Sequence, residues 1–170
     1  MALVDIEHPT IIRDPRLLAL FQLWHGKLAG RRMPAVVDLD PADVAHWSDY
    51  LMLVDLPGDI ADFRVRWLGA KVAEMFGTPR AGTGIEAMTS EGERRSVIPQ
   101  YRVVIDTGLP AYYETEVELS KRGVVSQRKL LLLPLSDTGT RVDAVLACIY
   151  DEFPHKNRVP SSSARRRTAG

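Results

Sequence analysis

Apolar residues first recur at helical spacing along this chain, then alternate, then run together, and each change of period marks a new element. Leu17, Leu20, Phe21, Trp24 and Leu28 follow the interval of a helix's buried stripe. Asp14 ahead of Pro15 is a helix start, because the carboxylate accepts from first-turn amides and proline has no N–H to leave unpaired there. Gly30 is the expected stop, so an amphipathic helix is predicted from Asp14 to Gly30. Asp40-Pro41 opens one or two further turns carrying Val44 and Trp47.

Two strands are predicted next, Tyr50 to Leu56 and Asp62 to Leu68, and three more at Ala111 to Leu119, Val124 to Leu135 and Val142 to Asp151. Between the two groups, Gly69 precedes a short helix, Ala70 to Phe76, that Gly77 and Thr78-Pro79 end. Gly82 and Gly84 mark an irregular stretch. A longer helix follows from Glu91 to Thr107 with the stripe Val97, Tyr101, Val104 and Ile105, and Pro99 within it implies a kink or a late start. The order β-β-α-β-β-β predicts an α+β fold: a five-stranded antiparallel sheet whose inserted helices lie on one face and leave a half-open cup for a small molecule.

The last two strands carry Leu130 to Leu133 and Val145 to Ile149 without polar interruption, so both of their faces are buried. The middle helices cover one face, and the leading helix or a second copy of the chain covers the other. That need points to a homodimer, with Leu17, Phe21, Trp24 and Leu28 as its interface residues. The third strand differs, since Tyr113, Thr115, Val117 and Leu119 alternate with Glu114, Glu116 and Glu118. A four-residue hairpin loop over 120–123 sets position 119 against 124, hence Glu114 against Lys129 and Glu116 against Gln127 outside, and Thr115 against Arg128 inside. Arg128 then faces the cup as an anion or carbonyl binder, although a one-residue slip turns it to solvent. The expected ligand contacts are Trp67, Met75, Tyr101, Tyr113 and Arg128, where aromatic faces give contact area and polar tips give orientation.

A chain of 170 residues suits one domain, here 14–153, with an extension over 1–13 and a tail over 154–170. The tail holds Lys156, Arg158, Arg165, Arg166 and Arg167 and no acid; it is expected to be disordered, as a solvated end, an electrostatic handle or a phosphorylation target. Removing those five from 22 basic residues leaves 17 against 22 acidic ones, so the body is acidic and a poor nucleic-acid binder. The N-terminus lacks a signal-peptide pattern and no apolar run reaches the ~18 residues of a membrane span, so a cytoplasmic location off the membrane is expected. The single Cys148 cannot form an intramolecular disulfide, in keeping with a reduced compartment.

Catalytic chemistry is not signalled. His8, His25, His46 and His155 fall in different elements, which argues against a metal site. His46, Ser48 and Asp49 are too close in sequence to converge as a triad, Glu114, Glu116 and Glu118 read as a solvated face, and Gly82-Thr83-Gly84 lacks the strand and lysine of a phosphate loop. The chain is therefore expected not to be an enzyme.

Several segments together resemble a stand-alone subgroup of PAS domains found widely in alphaproteobacteria: Arg31-Arg32-Met33-Pro34, Asp38-Leu39-Asp40-Pro41, 50–55, 62–69, Gly108-Leu109-Pro110 and Leu132-Leu133-Pro134-Leu135-Ser136. The resemblance spans about 14–150. It implies a ligand-sized cup, a leading helix packed outside the sheet, frequent dimerisation, and a sensory role. With no output domain following, action is expected through association with a signalling protein such as a kinase, a transcription factor or a second copy. Flavin photosensors of this fold carry a cysteine on the middle helices and haem sensors a histidine on the long one. This chain has neither between Gly69 and Gly108, which disfavours both cofactors and leaves an organic small molecule or no ligand. The competing reading is an enzyme or carrier on a cone-shaped α+β fold, which normally needs a His and Asp pair deep in its cavity; no histidine lies in the strands after Gly108.

Overall fold

Six strands, Ala2–Leu3 (β1), Leu51–Asp55 (β2), Arg64–Leu68 (β3), Ala111–Glu118 (β4), Val125–Leu135 (β5) and Ala144–Glu152 (β6), form one antiparallel sheet in the spatial order β1-β4-β5-β6-β2-β3. They are seen in a computed structural model that describes residues 2–58, 62–77, 79–89, 91–118 and 125–152. The tail over 154–170 and the hairpin loop over 120–123 lie outside the described residues. The five predicted strands are all present. Two residues of the expected N-terminal extension add the short edge strand β1, and Val4 behind it donates to Pro110 O at 2.8 Å.

The helices are Pro15–Gly26 (α1), Pro41–Val44 (α2), Ala70–Phe76 (α3), Ile85–Met88 (α4) and Glu91–Thr107 (α5), with 3-10 turns at Val36–Asp38 and Ala45–Tyr50. Asp14 caps α1 as expected, accepting from Arg16 N at 2.9 Å. The helix ends at Gly26, a turn before the predicted stop, because the chain turns through Ala29 and Gly30, both at positive φ. α5 runs through Pro99 unbroken, and the irregular stretch after Gly82 contains α4, too short for a periodic signal.

The sheet separates two cores. On one face, Met52, Phe63, Val65, Tyr101, Val104, Leu130, Leu132 and Ile149 pack beneath α3, α4 and α5. On the other, Leu51, Leu53, Leu131, Leu133, Leu146 and Cys148 meet the apolar stripe of α1. Leu17 and Trp24 are 0% exposed and Phe21 is 2% exposed inside their own chain. The expected interface is therefore corrected: Leu17, Phe21 and Trp24 have no surface left for a partner, and Leu28 lies beyond the helix, half-buried against the same core. A second copy is not needed to cover that face.

Between Leu53 and Val54 the β2–β3 register shifts, so Leu53 opposes Trp67 while Val54 opposes Val65. The extra residue reverses the alternation of β3, and Trp67 emerges on the α1 side instead of the cup side. Where β3 passes into α3, Gly69 lies against the end of the preceding 3-10 turn. A Cβ there would stand 2.0 Å from Ser48 O, which is why the position carries none.

Candidate functional site

The β4–β5 register is the expected one, with Glu114 opposite Lys129, Thr115 opposite Arg128 and Glu116 opposite Gln127. Arg128 also opposes Asp151 on β6. Thr115, Arg128 and Asp151 therefore make one polar row across the cup face. The next row, Tyr113, Leu130 and Ile149, is apolar apart from the phenol.

α5 lies over these rows without closing on them and leaves a cavity of about 290 Å³. Its inner wall is Met52, Phe63, Ile85, Met88, Leu130 and Ile149, and its mouth carries Glu93, Ser96, Gln100, Thr115, Glu116 and Arg128. The Arg128 guanidinium is held by Asp151 through two parallel bonds, Nε to Oδ1 and Nη2 to Oδ2, both 2.7 Å. Such a bidentate pair fixes the guanidinium's orientation and matches its charge. Tyr101, on α5, packs edge-on against Phe63 with ring centroids 5.4 Å apart. Its hydroxyl is buried and has no hydrogen-bond partner among the described residues, and burial pushes the phenol up, so it is a neutral donor.

Two of the five expected ligand contacts, Tyr101 and Arg128, line this cavity. Trp67 does not: the bulge places it on the opposite face, 38% exposed, beside Val36, Leu39, Val44 and Leu53 in a separate groove. Met75 packs half-buried against the cup-side core, away from the cavity wall. Tyr113 is core as well, its hydroxyl donating to Gln100 O at 3.3 Å and tying β4 to α5. Sequence reasoning missed Ile85 and Met88, which sit on a four-residue helix, and Asp151, which pairing β6 with β5 through Arg128 would have found.

Behind the sheet, the start of α1 is joined to β5 and β6 by charge. Asp14 accepts from Arg16 Nη2 at 2.6 Å and from Lys129 Nζ at 3.2 Å, and Glu152 receives both Arg16 and Lys129. Lys129 thus bonds to Asp14 and Glu152 and not to Glu114, which accepts from the Tyr112 hydroxyl. Arg16 also lies over the Tyr150 ring, 3.9 Å from its centroid.

No group of three or more His, Cys, Asp or Glu residues among those described is placed to hold a metal ion, and no described helix is long and apolar enough to cross a membrane. Cys148, the chain's single thiol, is buried on the α1 face, so a cofactor attached to sulfur in the cup has no partner there.

The fold has solved counterparts. The PAS domain of Bordetella pertussis BvgS is 12% identical with a TM-score of 0.51, over 66% of this chain and 82% of that one. The LOV domain of the Erythrobacter litoralis EL346 blue-light activated histidine kinase is 16% identical with a TM-score of 0.45, over 61% of this chain and 95% of that one. A Rhodobacter sphaeroides LOV protein is 15% identical with a TM-score of 0.45, over 66% of this chain and only 62% of that chain's length. A search of curated protein sequences returns no match. The PAS domain family model matches residues 12–150, from before α1 nearly to the end of β6, with the edge strand β1 outside the match. The chain belongs to the PAS domain family.

Proposed function

We propose that this PAS domain is a sensory, regulatory module that takes a small organic molecule into the cup beneath α5 and acts by association with a signalling partner, not by catalysis. The observation that carries this reading is the cavity of about 290 Å³, apolar inside and polar at the mouth. Cavities of this make-up, close to the ~300 Å³ lower bound of small-molecule sites, are where proteins hold ligands.

The occupant is held without a covalent bond, since the cup offers no thiol. Haem and flavin remain disfavoured for the residue types that line the cavity, and a visible spectrum of the purified full chain that is flat above the protein band agrees with that; a flavin or Soret band overturns it. Association with a signalling protein or a second copy uses a surface other than Leu17, Phe21 and Trp24. Trp67 beside the half-open groove and Val37 near it are exposed apolar residues suited to the task.

The test is a fragment screen by NMR on the full chain. Binding of small organic fragments should shift the amides of Tyr101, Thr115, Leu130 and Arg128 together, and Leu130→Trp should abolish the shifts by filling the space. A screen in which no fragment moves these four amides rejects the reading.

A further inference from the structure

We propose that the cavity selects an uncharged molecule with an apolar body and a carbonyl-type acceptor at one end, and discriminates against the corresponding carboxylate. This rests on the ligand-sensing reading of the same cavity and adds the chemical class of the ligand.

The inner wall sets the body. Six apolar side chains, Met52, Phe63, Ile85, Met88, Leu130 and Ile149, surround a space of about 290 Å³. The polar groups set the head. Arg128 lines the cavity, and its two bonds to Asp151 use Nε and Nη2. A guanidinium carries five N–H groups, so those of Nη1 can donate to a carbonyl, ester or ether oxygen at one end of the ligand.

Charge then separates an acceptor from an anion. Arg128 is the only cation among the described lining residues, and Asp151 already holds it through two bonds of 2.7 Å. The mouth carries two further carboxylates, Glu93 and Glu116. One guanidinium therefore stands among three acids. A ligand carboxylate entering here leaves water without gaining a free counter-charge, or must compete with Asp151 for Arg128, and either route costs it. An uncharged acceptor does not meet that cost. Of the two roles that Arg128 suggests from sequence, anion binder and carbonyl binder, the pairing with Asp151 favours the second.

The experiment compares two probes of matched length, 2-undecanone and decanoate, by titration calorimetry on the full chain at pH 7.5. The ketone should bind at least tenfold more tightly than the carboxylate. Asp151→Asn, which keeps the shape but frees the guanidinium charge, should strengthen decanoate severalfold and narrow the preference. Decanoate binding as tightly as the ketone to the unaltered protein overturns the selectivity and leaves the sensor reading standing. Failure of both probes to bind at millimolar concentration removes the ligand reading itself, and this inference with it.

Discussion

The indole nitrogen of Trp24 donates to the carbonyl oxygen of Pro134 at 2.9 Å, and this bond fixes the leading helix to the middle of the sheet. A proline in β5 gives that strand a carbonyl and no N–H, and the side chain that reaches the carbonyl comes from α1. Trp24 is fully buried, so Trp24→Phe should cost about 1–3 kcal/mol through the unpaired carbonyl and Trp24→Ala about 3–5 kcal/mol through the cavity. Urea denaturation measures both. An alanine variant that unfolds at the urea concentration of the parent but loses self-association would show that the residue serves an interface after all.

Gly69 has an ordinary φ of −75° and is a glycine because of what it touches. An added Cβ would meet Ser48 O at 2.0 Å and the Asp49 carbonyl carbon at 2.5 Å, both backbone atoms that cannot swing away. Gly69→Ala should therefore destabilise the domain by at least about 1–3 kcal/mol, the usual cost of overpacking, and alanine is also a poorer residue than glycine at this N-cap position. A melting temperature equal to the parent's would mean that the 3-10 turn at Ala45–Tyr50 gives way freely.

The sheet was legible in sequence because its signals are local and repeated. Alternation along 113–118 and a short hairpin loop suffice to set Thr115 against Arg128, and the apolar runs at 130–133 and 145–149 require cover on both faces. Trp67 was not legible, because one extra residue opposite Leu53 and Val54 inverts the strand's faces and leaves no mark in composition. Nor was the cavity's wall. Ile85 and Met88 sit on a single turn of helix, and the volume beneath α5 depends on how far side chains from four elements hold it off the sheet. The same runs of leucine and valine left open whether the leading helix or a second copy covers the far face, and the chain's own α1 covers it.

Asp14 should give the domain a marked loss of stability in acid. Hydrogen bonds from Arg16, and to a lesser degree Lys129, hold its carboxyl well below the usual carboxylate range against the upward push of burial. Glu152 is lowered too, chiefly by Lys129. A folded-state value below the unfolded one, ~3.9 for aspartate, means the contribution is complete above that pH and disappears as pH falls through it and beyond. Stability measured by urea should thus drop steeply below about pH 4. Asp14→Asn keeps a good helix cap, costs about 1.5–3 kcal/mol at neutral pH and flattens the acid limb. An unchanged acid limb in this variant would place the titrating group elsewhere.

Cys148 is 0% exposed under α1, and burial pushes its thiol well above the usual range. Thiolate is the reactive form, so alkylation by iodoacetamide in native buffer should be far slower than for a free cysteine and should track the opening of the domain. The rate should rise with urea in parallel with unfolding, and it should rise in native buffer for Trp24→Ala, which loosens the covering helix. Rapid alkylation of the untouched parent would mean that α1 leaves the sheet without unfolding the rest.

The Arg128–Asp151 pair should behave asymmetrically when dismantled. The carboxylate side chain is 5% exposed and the guanidinium 16% exposed, so removing only the cation by Arg128→Met strands a largely buried charge. Stranding costs about 3–5 kcal/mol for a fully buried pair, and somewhat less here because the guanidinium keeps part of its hydration. Replacing both partners in Arg128→Met with Asp151→Leu takes the charge away as well, and apolar neighbours such as Phe76 and Leu130 receive the new side chains. The double variant should therefore recover most of what the single one loses, and urea titration of the two proteins beside the parent measures the recovery. Equal losses in both would show that the pair's value lies in its two hydrogen bonds across β5 and β6, and that the buried charge itself is well solvated through the mouth of the cup.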